Sequence, residues 1–124
     1  MPTDWQRLAR SVRLAVDGDE IVVSLGETRK HRVKVYDEGE HLRLRGKVAT
    51  PGRITDLAYE TRRAWELNRR DSLVGFRFDH RERLVGEYLV PIAGLTPDEL
   101  ALCVRSVAAE CDRYEYLLTG KDVF

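Results

Sequence analysis

Two adjacent stretches of this chain alternate cations with apolar residues. Arg32 and Lys34 interleave with Val33 and Val35, and Arg43, Arg45 and Lys47 interleave with Leu42, Leu44 and Val48. In an extended strand successive side chains point to opposite faces. Pairing the two strands would therefore gather five positive charges on one face, where they could hold an anionic ligand or nucleic acid. The stronger expectation is a solvated sheet face whose charges discourage edge pairing. It would contribute little to folding, because exposed charges couple weakly. Tyr36 alone is placed to stack a base, whereas nucleic-acid platforms use several aromatics among their charges. Nucleic acid is not the expected partner.

No other constellation promises chemistry. His31, His41 and His80 share no metal-ligand spacing with one another or with the cysteines. His80 and Glu82 fall in one short polar turn, where nothing would desolvate or tune an acid/base pair. Gly120-Lys121 is not a phosphate loop, because Glu115 stands where the motif needs Gly and Asp122 replaces Ser or Thr. Ser11, Ser24, Ser72 and Ser106 have no nucleophile context. Cys103 and Cys111 lie on one expected helix about 12 Å apart along its axis. That is beyond disulfide reach, and both are expected as small core residues. The sequence thus leads to no catalytic residue, no metal ligand, no cofactor site and no enzymatic activity.

The chain has 124 residues, a length suited to one domain over 1–124. It is 43% hydrophobic and 34% charged, the balance of a globular protein, and 21 basic residues offset 21 acidic ones. A formal charge of zero gives no bulk attraction to nucleic acid or acidic membrane. Charges at Asp4, Arg7, Arg10 and Arg13 deny Met1–Val16 the apolar core of a signal peptide. The run Tyr88–Leu95 is far short of the ~20 residues of a membrane span. A cytoplasmic location is expected.

The elements that would position these residues follow from periodicity. Trp5, Leu8, Ala9, Val12 and Val16 recur at helical spacing, with Thr3 and Gln6 as a capping box, so a first helix is expected over Asp4–Val16 and Asp17-Gly18-Asp19 should end it. Alternation then predicts strands Glu20–Gly26, Lys30–Tyr36 and His41–Val48. A second helix is expected over about Thr55–Arg69. Its apolar residues Leu57, Ala58, Ala64, Trp65 and Leu67 spread over about half the circumference, more than the ~100° one buried face needs. A hairpin follows, Leu73–Phe78 and Leu84–Val90 around the turn Asp79–Arg83. Thr96 as N-cap, Pro97 and Glu99 then open a long helix with one apolar face, which Gly120 stops. The order α-β-β-β-α-β-β-α predicts an α+β fold, a five-stranded, mainly antiparallel twisted sheet with helices packed on it.

The element order and the second half of the chain resemble the YbjN-type family, which shares its fold with class I type III secretion chaperones. The likeness is carried by W-E-L-N-R at Trp65–Arg69, by the apolar hairpin L-V-G-F-R-F to L-V-G-E-Y-L-V-P over Leu73–Pro91, by G-L-T-P-D-E-L at Gly94–Leu100 and by D-R-Y-E-Y-L-L at Asp112–Leu118. The first half matches by topology alone. The resemblance implies a non-enzymatic, homodimeric, cytoplasmic module. Chaperones of this fold hold an effector segment in extended form over apolar patches, and YbjN-type relatives are often described as regulators. The expected function is chaperone-like or regulatory binding of a partner polypeptide segment. Leu57, Ala64 and Leu67 are dimer-interface candidates, and Arg32, Lys34, Arg43, Arg45 and Lys47 are candidates for an anionic partner, the alternative function.

Overall fold

The computed structural model describes residues 4–49, 57–68 and 74–119. The elements run α1 (Trp5–Ser11), β1 (Ala15–Asp17), β2 (Glu20–Ser24), β3 (Lys30–Asp37), β4 (His41–Ala49), α2 (Leu57–Asn68), β5 (Gly75–Phe78), β6 (Leu84–Pro91) and α3 (Pro97–Thr119). The strands form one sheet in the order β1-β2-β3-β4-β6-β5, with every neighbouring pair antiparallel. The class is the expected α+β.

The sheet has six strands rather than five, and the cause lies at the end of α1. The helix stops at Ser11. Arg13 then takes a left-handed conformation, φ 62°. Its N–H donates to the Arg10 carbonyl and the Leu14 N–H donates to the Ala9 carbonyl, each at 3.0 Å. This pair of bonds closes a helix as a Schellman motif. Glycine usually fills that position; here an arginine does, so the sequence carries no stop signal. The released residues Ala15–Asp17 pair with Glu20–Val22 around a two-residue turn, Gly18-Asp19, with Gly18 at φ 62°. Asp17-Gly18-Asp19 is thus a hairpin turn rather than a helix stop. Asp4 is the N-cap of α1, its carboxylate accepting from the Arg7 N–H at 3.1 Å; Thr3 lies outside the described residues.

Alternation sets the two faces. Ile21, Val23, Val33, Val35, Leu42, Leu44, Val48, Leu84 and Val90 point inward and are buried. α3 lies across this face against β2, β3, β4 and β6, while α2 packs on β5. α1 meets the sheet at its edge strand β1 and also lies against α3. Thr96 caps α3 as expected, its hydroxyl accepting from the Glu99 N–H at 3.2 Å.

The helix–sheet contact depends on two glycines facing one another across β4 and β6, Gly46 and Gly86. A methyl group built on Gly86 would lie 2.5 Å from Cys111 Sγ, and one on Gly46 would lie 2.9 Å from it. The dent they leave takes the Cys111 side chain, so α3 sits close to the sheet. Cys111 is fully buried, and burial pushes its thiol pKa up. Cys103 is also buried and free, as expected.

The sheet edge at β5 is closed by a side chain. Asn68, the last residue of α2, accepts from the Phe76 N–H at 2.5 Å and donates to the Phe76 carbonyl at 2.7 Å. Its amide completes the pairing that a neighbouring strand would otherwise offer, which protects an exposed edge from adding a strand.

Candidate binding surface

The five cations do share the outer face. Lys34 stands opposite Arg45 and Tyr36 opposite Arg43 in the β3–β4 register. Lys34 Nζ and Arg45 Cζ lie 5.2 and 5.0 Å from the centre of the Tyr36 ring. Each contact of this kind adds about 0.5–1 kcal/mol at an exposed site. The ring is therefore already engaged by cations.

Acidic residues are threaded through the face. Arg32 reaches Asp17 at 2.9 Å and Glu20 at 3.3 Å, Lys34 reaches Asp19 at 3.5 Å, and Arg43 reaches Glu38 at 3.1 Å. The residue that most changes the expected picture is Glu87. It stands opposite Arg45 in the β4–β6 register. Its carboxylate receives Arg45 at 2.6 Å, Arg77 at 2.5 Å and Arg43 at 3.5 Å, with only 9% of the side chain exposed. Burial alone would raise its pKa; the hydrogen bonds from Arg77 and Arg45 outweigh this and hold it below the usual value. Three arginines thus surround one buried carboxylate, where the alternation of β3 and β4 alone led to an expectation of cations on a solvated face.

Between these pairs lies a depression of about 210 Å³. Five of its eight lining residues are cations, Arg32, Lys34, Arg45, Lys47 and Arg83; Glu20 is the one acid. Tyr36 and Val85 complete it. Val85 is fully buried although it belongs to the outer face and lies outside the main apolar cluster. Aliphatic stems of long charged side chains can cover an apolar surface in this way. Arg83 is held in place by the β5–β6 turn. Asp79, 7% exposed, accepts from the Arg81 and Arg83 N–H groups at 2.9 Å each and from Arg83 Nε at 2.8 Å. His80 and Glu82, at the tip of the same turn, are exposed as expected.

A second polar cluster lies on the inner side. One ligand-type atom each from His31, Asp112 and Glu115 falls within 4.8 Å of the others, and all three residues are buried. Arg29 donates to Asp112 at 2.8 Å, so a guanidinium already supplies positive charge there. His31 Nε2 lies 2.8 Å from the Lys47 carbonyl. A carbonyl only accepts, so Nε2 carries a proton. The arrangement is that of a buried ion network joining β3 to α3. The sequence held a signal for it. His31 falls two residues before Val33 on the inward face, and Asp112 and Glu115 fall at helical spacing from Ala108 and Cys111 on the apolar stripe of α3.

Of the dimer-interface candidates, Ala64 is buried in the core at 4% exposure and so serves this chain's own packing. The side chains of Leu57 and Leu67, like those of Ala58 and Trp65, lie outside the described residues. Glu60, on the same helix, accepts from the Tyr114 hydroxyl at 2.9 Å and ties α2 to α3.

The family model described as "Putative bacterial sensory transduction regulator", YbjN, matches residues 5–118. The chain belongs to the YbjN family. No curated protein matches it. Among solved structures it is similar to a chain of the heterodimeric ExoU–SpcU complex from the type III secretion system of Pseudomonas aeruginosa, with TM-score 0.62 and 15% identity over 96% of this chain and all of that one. It is also similar to chains of the HopA1–SchA chaperone–effector complex (TM-score 0.57, 13% identity, 92% and 98% covered) and of the ExsC–ExsE complex (0.56, 17%, 95% and 97%). At these identities the likeness shows the fold, which is that of the type III secretion chaperones.

Proposed function

We propose that this YbjN-family protein is a non-enzymatic binding module, chaperone-like or regulatory, which acts as a cytoplasmic homodimer and holds a segment of a partner polypeptide. The observation that carries this reading is the fold itself. Nearly the whole chain aligns with chains solved in complexes with other proteins, one of them a chaperone–effector complex. The side chains support a binding role over catalysis. The Ser11 and Ser106 hydroxyls donate to helix carbonyls of Leu8 and Leu102. Burial pushes both cysteine thiols up, away from the thiolate a nucleophile needs. Among the described residues no helix is long and apolar enough to cross a membrane.

A homodimer would join the chains through α2, where the broad apolar arc of the sequence leaves Leu57 and Leu67 as contact candidates. C2 symmetry is the commonest solution for such a surface. The test is co-expression of the tagged full chain with the products of adjacent genes. We expect one of them to co-purify at a fixed ratio, with one segment of it protected from protease. Absence of any stoichiometric complex with those products contradicts this reading.

A further inference from the structure

The depression on the outer face of the sheet has a chemistry of its own. We propose that it is a subsite for a single carboxylate, an Asp or Glu side chain of the bound partner segment; this rests on the partner-binding reading above. Three features fix the class of ligand. The first is charge. Arg32, Lys34, Arg45, Lys47 and Arg83 line the space with one acid, Glu20, and the acids Asp17, Asp19, Asp79 and Glu87 that pair with four of these cations stand outside the lining. The second is size. About 210 Å³ is below the range of pockets that enclose whole drug-sized ligands and suits one anionic group with its neighbouring atoms.

The third is the pattern of charge around it, which separates a discrete anion from a polyanion. Asp17, Asp19 and Glu20 engage the cations toward β2, while Glu38 and Glu87 engage those toward the β3–β4 turn and β6. A phosphate backbone tracking across the sheet would meet these acids on both sides. A lone carboxylate centred on the depression would face Glu20 alone of these acids. The Tyr36 ring, already engaged by Lys34 and Arg45, does not offer the stacking platform that single-stranded nucleic acid uses. Within the outer face, Arg45 is committed to Glu87 at 2.6 Å and Arg83 to Asp79 at 2.8 Å, so both are fixed in position and need little ordering to receive a ligand. Lys34 has the looser contact, 3.5 Å to Asp19, and can turn toward an incoming carboxylate.

The test titrates the full-length protein with an eight-residue peptide alternating Glu and Leu, with its Gln and Leu counterpart, and with oligothymidylate of the same length. Backbone amide shifts locate binding, and fluorescence anisotropy of labelled probes gives affinity. We expect the Glu peptide to bind and to move amides around Lys34, Arg45 and Val85, and the Gln peptide to bind about tenfold more weakly. Lys34→Glu with Lys47→Glu should lose about tenfold for the Glu peptide while far-UV circular dichroism stays unchanged. Lys34→Gln with Lys47→Gln repeats the test without introducing new acids. Affinity for the Glu peptide should fall several-fold between about 50 and 200 mM salt. Equal binding of the Glu and Gln peptides overturns the subsite, as do shifts confined to another surface or tighter binding of oligothymidylate. A double variant that still co-purifies its partner, alongside a wild type that ignores the Glu peptide, overturns the subsite and leaves the partner-binding reading standing.

Discussion

Glu87 is the residue on which the outer face turns. A carboxylate 9% exposed and met by three guanidinium groups is satisfied only while they remain. Glu87→Gln should leave three partly exposed guanidinium groups without their shared carboxylate and cost about 1–3 kcal/mol. Urea denaturation at neutral pH checks this. The same group sets a pH dependence. Its folded pKa lies below the ordinary 4.5, so its contribution is present above the unfolded value and is lost as pH falls through the folded one. Asp79 behaves alike: burial opposes its ionisation, and the Arg83 and Arg81 N–H groups with the Arg83 guanidinium prevail. Stability should therefore drop on acidification below about pH 4.5, with a shallower drop in Glu87→Gln. An equally steep drop in the variant contradicts this account of Glu87.

At the same scale, Gly86→Ala should cost about 1–3 kcal/mol by overpacking, because the new methyl group meets Cys111 Sγ at 2.5 Å. Adding Cys111→Ala removes that sulfur and should return part of the loss, which a double-mutant cycle would show as coupling. The sequence made the five outer cations legible because alternation is local. Glu87 was hidden because its partner Arg45 lies on a strand reached only through the β4–β6 pairing, a non-local choice of topology. His31, Asp112 and Glu115 were open to reading by extending the alternation and the helical stripe.

Among the elements, the helix ends decided what could be read. Thr96-Pro97 and the β5–β6 turn carry side-chain signals, and both stand where the sequence placed them. α1 ends on Arg13 in a glycine conformation, so its excess length and the missing strand β1 were one error with one cause. Arg13→Gly should stabilise the protein by roughly 0.5–1 kcal/mol, the relief of left-handed strain less the added chain entropy. A lower melting temperature would contradict the Schellman assignment. α1 has seven residues and buries only Trp5 and Ala9. Its amides should exchange before those of α3, whose apolar stripe packs on β2, β3, β4 and β6. Asn68→Ala removes both bonds to the β5 edge and should cost about 1–3 kcal/mol. It should also raise the tendency to aggregate beyond that of a variant equally destabilised elsewhere, such as Gly86→Ala.

For the molecule as a whole, fold and function were legible to different depths. Element order and the motifs from Trp65 to Leu118 led to the YbjN family and to the chaperone fold, because a topology is written in periodicity and caps along the entire chain. The surface proposed to meet a partner is written in a few residues brought together from distant strands. The proposed homodimer would present such a surface, and α2 is the element proposed to join its halves. Leu67→Asp should release folded monomers, since burying a large apolar side chain is worth roughly 1.5–3 kcal/mol. The most direct test is light scattering on the purified wild-type chain over a concentration series reaching high micromolar. The account predicts a species of twice the 14.3 kDa chain mass, reduced to one chain by Leu67→Asp with unchanged circular dichroism. A wild-type protein that stays monomeric across the whole series contradicts it.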